Sequence, residues 1–141
     1  MTIASELLEQ HLNTLVMDNA RWKTLITDDI VWELPYAGAI GHPEKLEGRG
    51  AVETHVGWFL KAVSDFRFYD LRIMPGADPE TAVAQVKAEG IINDTGHVYR
   101  QEYIVFLKAS NGRIAVLREY FDPVRAAHAL GTPILNTLPR E

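Results

Sequence analysis

The chain contains no cysteine, so neither a disulfide framework nor thiolate chemistry is open to it. Serine is scarce and no G-x-S-x-G segment occurs, which argues against a nucleophile elbow. No GxGxxG or phosphate loop is present, and GRGAV is only the approach to a helix N-terminus. The histidines at 11, 42, 55, 97 and 128 fall in no HExxH or H-x-E-x-H spacing, so no metal is expected, and no cofactor. No apolar run reaches the roughly 20 residues that span a bilayer. The opening MTIASELLEQHLNTL carries two glutamates and no basic residue, unlike a secretion signal. A cytoplasmic protein without a membrane partner is the expectation. Like charges form no run, and a net charge of −5 repels phosphate backbones, so nucleic acid is not an expected partner.

What is there points to one ordinary globular domain over 1–141, with 47% hydrophobic and 23% charged residues. Leu8, Leu12, Leu15 and Val16 recur at helical spacing within 4–17. Asp18 and Asn19 then restart the chain as a short helix holding Trp22 and Leu25. Ile30 to Leu34 reads as a strand ended by Pro35. The glycines and prolines between Tyr36 and Gly50 mark a loop, and 51–63 a third helix. Four strands follow, Phe66–Met74, Thr81–Ile92, His97–Ala109 and Arg113–Asp122, separated by the turn signals PGADPE, NDTG and SNG. Connections this short join antiparallel neighbours. A last helix, Pro123–Leu130, ends at Gly131. The order implies an α+β fold, a curved antiparallel sheet packed on three N-terminal helices around a central pocket.

Several residues could carry chemistry. On the last strand Ala115, Leu117, Glu119 and Phe121 share one face, and Val116, Arg118 and Tyr120 the other. If the first set faces the pocket, Glu119 sits among apolar neighbours, and desolvation makes it a usable general acid or base near neutrality. The other reading is a glutamate paired across the sheet or at a dimer interface. His55 shares a helix face with Val52, Val56 and Phe59; it is either a core histidine or a proton partner for Glu119. Tyr99, Gln101 and Tyr103 alternate onto one face and either pack across strands or orient a carbonyl-bearing ligand. Trp32, Tyr36, Trp58 and Phe59 could supply flat apolar walls or fill the core. Lys87 and Glu89 lie two apart on one strand face, as an exposed ion pair or, for Glu89, as a substrate contact. Val116, Tyr120, Ile104 and Phe106 make the opposite sheet face too apolar for exposure, so a two-fold homodimer formed sheet to sheet is expected.

Three segments carry a family resemblance: TDDIVWELPYAG at 27–38, LEGRGAVETHVGWF at 46–59 and NGRIAVLREYFDP at 111–123. Together they resemble the NTF2-like superfamily, a cone-shaped α+β fold that includes SnoaL-like proteins and ketosteroid isomerases. The helix histidine, the glutamate of REY and the trailing RAAHALGTPI are most similar to PhzA/PhzB-type phenazine-biosynthesis proteins. The resemblance implies cofactor-free acid/base chemistry, with Glu119 and His55 as its carriers, on a small apolar substrate. In ketosteroid isomerases the residue before the first-strand proline is the proton-abstracting aspartate; here it is Leu34, which speaks against that mechanism. Limonene epoxide hydrolases are similar in another way, their Arg-x-Asp matching Lys87-Ala88-Glu89, but lysine lacks arginine's donor fork. The alternative is a non-catalytic ligand-binding or dimeric assembly module of the same fold.

Overall fold

The structure, a computed structural model, describes residues 1–135; residues 136–141 of the domain expected over 1–141 lie outside the described residues. Helix α1 (Ile3–Thr14) opens on a capping box in which Thr2 and Ser5 satisfy each other's backbone N–H groups. Its Leu7, Leu8 and Leu12 are buried against the sheet. The short α2 (Asn19–Trp22) is capped by Asp18, which accepts from the Arg21 N–H. Trp22 is fully buried, and its indole N–H donates to His11 Nδ1 at 2.8 Å, tying α2 to α1 inside the core. That bond requires a neutral His11, and burial holds its pKa down to about 3.

Strand β1 (Ile26–Glu33) is followed by a 3-10 turn (Ala37–Ile40), a short β2 (Lys45–Glu47) and α3 (Arg49–Ala62). Gly48, at φ 86°, supplies the left-handed backbone that swings β2 into α3. Then come β3 (Val63–Pro75), β4 (Thr81–Ile92), β5 (Val98–Ser110), β6 (Arg113–Tyr120) and α4 (Pro123–Leu130). Asp122 accepts from the Val124 and Arg125 N–H groups, and Pro123 occupies the first helical turn, so strand turns to helix within two residues.

The six strands form one sheet in the order β2-β1-β6-β5-β4-β3. The meander from β3 to β6 is antiparallel, as the short turns require. The sheet as a whole is mixed, because β1 runs parallel to β6. The wholly antiparallel expectation fails there: strands brought together by a long crossover need not alternate in direction. The stretch expected as loop also contains β2, which pairs antiparallel with β1.

Curvature comes from β3. Its register against β4 slips between Ser64 and Arg67 and again between Tyr69 and Arg72, and Asp65 and Asp70 take positive φ within those gaps. Bulges of this kind bend a strand and increase its twist. Gly90 of β4 lies beneath the first bend, where an added Cβ would come 2.7 Å from Val63 Cγ1 and 3.2 Å from Phe66 Cα. On the concave side β4 presents Ala82, Ala84 and Ala88, all buried, which lets α1 approach closely. Among the described residues no helix is long and apolar enough to cross a membrane.

Candidate functional site

Between the concave sheet face, α3 and α4 lies a cavity of about 80 Å³. A second chamber of about 40 Å³ adjoins it beneath Trp32 and Phe66. His55, Phe59, Tyr103 and Glu119 line both chambers and so form the waist between them. The rest of the lining is almost wholly apolar: Leu34, Ala37 and Ile40 from the 3-10 turn region, Ala62, Val63 and Ile92 from the α3–β3–β4 corner, and Ala126 and Leu130 from α4. Trp58 lines the outer chamber and is 43% exposed, which marks its mouth. Helix α4 is pinned over that chamber by the β4–β5 turn. The Thr95 hydroxyl donates to Ala129 O at 2.7 Å, and His97 Nδ1 lies 3.1 Å from His128 O.

Glu119 reaches the waist because β6 alternates. Its register partners Val105 and, for Leu117, Leu107 are buried on the same concave face, while Arg118 and Tyr120 point outward. Glu119 is half-buried and lines the cavity among mostly apolar neighbours. Desolvation raises its pKa from 4.5 to about 8, so the carboxyl is protonated at neutral pH. His55 faces the same waist from α3, its ring 5.6 Å from Trp58 and 6.4 Å from Trp32. Burial, and then the nearby His42, lower its pKa, leaving a neutral imidazole.

A polar seam runs along β5. Tyr99 Oη lies 3.0 Å from Tyr103 Oη, and Gln101 Nε2 donates to Tyr99 Oη at 3.1 Å and to Asp122 O at 2.9 Å. Burial pushes the Tyr99 phenol up to about 12 and the Tyr103 phenol well above its ordinary value, so both stay protonated. Among the described residues no three histidine, aspartate or glutamate side chains gather as a metal would need.

The SnoaL-like domain model matches residues 8–117. The chain belongs to the SnoaL-like family. The match ends two residues short of Glu119, so the family places the fold and leaves that carboxylate to be argued from geometry. This SnoaL-like chain is 32% identical to a PhzA/B-like protein of Pseudomonas aeruginosa over 129 residues, 91% of this chain and 90% of the relative. A crystal structure from Bacillus subtilis superposes with a TM-score of 0.83 at 29% identity, covering 95% of this chain and 96% of that one. A phenazine biosynthesis-related protein of Pseudomonas aeruginosa gives 0.80 at 22% identity, with 99% and 91% covered. The fold of the SnoaL-like chain is the NTF2-like, ketosteroid isomerase-like one.

Within that fold the structure brings together Glu119, His55, Phe59, Tyr103 and Phe121 at the outer cavity, with Trp32 walling the inner chamber. Four expected contacts lie elsewhere. Tyr36 is 50% exposed and packs edge-on against Tyr120 on the outer sheet face, because the turn after Pro35 carries it past the sheet edge. Glu89 also points outward: β4 buries its even-numbered residues, so Glu89 pairs with Arg100 at 3.4 Å and Lys87 with Asp70 at 3.4 Å. Leu117 has the right parity but is sealed in the core below the cavity floor. Gln101 faces inward too, yet the Asp122 turn covers it and takes up its amide. Sequence reasoning missed His42 as a wall residue. It sits in an irregular loop with no periodicity to place it, and only its ring packing on Trp58 at 5.1 Å reveals it.

Proposed function

We propose that this SnoaL-like protein is an enzyme of small-molecule metabolism that moves protons on an apolar, cyclic, carbonyl-bearing substrate. The reaction class is isomerisation, cyclisation, dehydration or condensation. One observation carries the reading: a carboxyl held protonated near neutrality, inside an apolar cavity, beside a neutral imidazole. Glu119 is the general acid toward the substrate oxygen. His55, with a free lone pair, is the base that accepts a proton from carbon, and the two exchange roles as the double bond relocates. The apolar walls strengthen both transfers by excluding water.

The test needs no knowledge of the natural substrate. Cyclohexanone is incubated with the protein in D2O, and deuterium at the carbons beside the carbonyl is followed by NMR. Exchange is expected with the wild type and should fall at least a hundredfold in Glu119→Gln with the fold unchanged by circular dichroism. Exchange that survives this substitution sinks the assignment.

A second property is favoured by the outer sheet face. Ile104 is 41% exposed there, near the Tyr36–Tyr120 pair and the half-buried Phe106, over whose ring the Arg118 guanidinium lies. This patch supports a two-fold homodimer joined sheet to sheet. It also supports the alternative in which the protein acts as a dimeric ligand-binding module without turnover.

A further inference from the structure

Proton counting along the β5 seam fixes the Gln101 amide and leaves one phenol O–H unpaired, whichever tyrosine donates to the other. Gln101 Oε1 accepts from the backbone N–H groups of Glu102 at 3.1 Å and Asp122 at 2.9 Å, while Nε2 donates to Asp122 O at 2.9 Å. Turning the amide over would set its NH2 against two N–H donors and its oxygen against a carbonyl, so the group facing Tyr99 must be the NH2. Tyr99 Oη therefore accepts from Gln101 and meets Tyr103 Oη 3.0 Å away. The two phenols hold two protons and share one acceptor position between them. They make no other hydrogen bond among the described residues. One O–H is always left over, and both side chains line the cavity. In head-to-tail order, Gln101 N–H to Tyr99 to Tyr103, each bond polarises the next. The surplus proton then falls to Tyr103, the phenol that borders both chambers beside Glu119.

We propose that Gln101 is a positioning residue which, without reaching the cavity, sets the Tyr99–Tyr103 pair as a hydrogen-bond donor at the waist, and that the site thereby selects ligands presenting an uncharged carbonyl oxygen there. This rests on the reading of the cavity as a small-molecule site. A ligand of the same shape without an acceptor leaves a buried O–H unpaired, which is the condition under which a polar site discriminates strongly. A carboxylate would meet an apolar lining with no cation to pair it.

The test compares cyclohexanone with methylenecyclohexane, which replaces C=O by C=CH2 in the same ring. Binding of each is measured by NMR titration, and the carbonyl stretch of ¹³C-labelled cyclohexanone is read by difference infrared spectroscopy. In the wild type the bound carbonyl band should lie below its position in alkane. Gln101→Glu puts an acceptor where the donor was, so Tyr103 turns toward Tyr99 and Tyr99 toward the carboxylate. The band should then return toward the alkane position. Ketone affinity should fall roughly tenfold and that of the alkene should not change. The band in wild type, compared with that in Glu119→Gln, tests the tyrosine donor even if Gln101→Glu folds poorly. An unshifted wild-type band, equal losses for both probes, or no ketone binding overturns the proposal. Glu119→Gln separates this idea from the acid assignment. A shift that disappears in Glu119→Gln but survives Gln101→Glu makes the carboxyl the donor and overturns the role of Gln101, leaving the acid reading intact. Loss of deuterium exchange in Glu119→Gln with the shift retained supports both.

Discussion

Glu119 is where chemistry and stability pull in opposite directions. Its pKa of about 8 in the fold stands above 4.5 in the unfolded chain, so the native state holds the proton more tightly between those values. The stability associated with that proton is fully present below about pH 4.5 and is lost as pH rises through 8. Glu119→Gln cannot ionise, and we predict that it loses activity yet is more stable than wild type by about 2–4 kcal/mol at pH 9. At pH 5 the advantage should shrink to about 1 kcal/mol or less. Urea unfolding at the two pH values checks this, and equal differences at both would contradict it. With Glu119 as the proposed acid, we predict that turnover falls as pH rises through 8, where the carboxyl gives up its proton.

His11 works the other way. Its pKa of about 3 in the fold lies below the ordinary 6.5, so the stability of the neutral form is present above 6.5 and is lost as pH falls toward 3. His55 adds to this in the same direction. His11→Gln keeps an acceptor for the Trp22 indole and cannot titrate in this range. It should remove a slope of about 1.4 kcal/mol per pH unit between pH 6 and 4. Stability curves of variant and wild type that stay parallel in that window would count against the buried His11–Trp22 bond.

At the scale of elements, α4 and the bend in β3 shape the cavity. Asp122 caps α4, and its backbone also clamps Gln101, so the start of the helix and the seam of β5 meet at one residue. Asp122→Ala removes only the side-chain cap and should cost about 1 kcal/mol. Because Ala126 and Leu130 close the outer chamber, ligand affinity should fall with it, as read by the cyclohexanone titration. Gly90→Ala drives a methyl into Val63 and the Phe66 backbone, and should cost about 1–3 kcal/mol by straightening or shifting the bulge. Most strands and helices were legible because their signals are local: period-2 alternation, turn residues, and Asp122-Pro123 at a helix start; β1, however, begins at Ile26 and not Ile30, and α2 ends at Trp22, short of Leu25. β2 was not, since three residues of edge strand inside a glycine-rich loop carry no period, and only pairing with β1 makes them a strand. The parallel contact of β1 with β6 was likewise invisible, because it joins distant segments whose own sequences say nothing of each other.

At the scale of the whole molecule, the two faces of the sheet divide the work. The concave face holds the cavity, and the convex face presents Ile104, Phe106, Tyr36 and Tyr120 around the Arg118–Glu33 pair at 2.7 Å. We predict a dimer at micromolar concentration in sedimentation, and a folded monomer from Ile104→Arg, which plants a charge in the patch. A wild-type monomer at that concentration would refute the sheet-to-sheet arrangement.

Alternation along a strand is dictated by backbone stereochemistry, so it could be read from spacing alone that Glu119 shares a face with Phe121, and Tyr103 with Tyr99 and Gln101, as could the helix face that carries His55; the folded sheet decided that those faces point inward. Composition and turn residues likewise determined the α+β class. Which inward residues reach open space was decided only by what covers them: Leu117 and Gln101 share the parity of the cavity residues, yet the core seals one and the Asp122 turn claims the other. Glu89 and Tyr36 went to the outer face because the phase of β4 and the path after Pro35 are set by pairing and packing with remote segments. Periodicity fixes direction along one strand. Burial depends on partners from elsewhere in the chain, and only the folded arrangement brings those partners together.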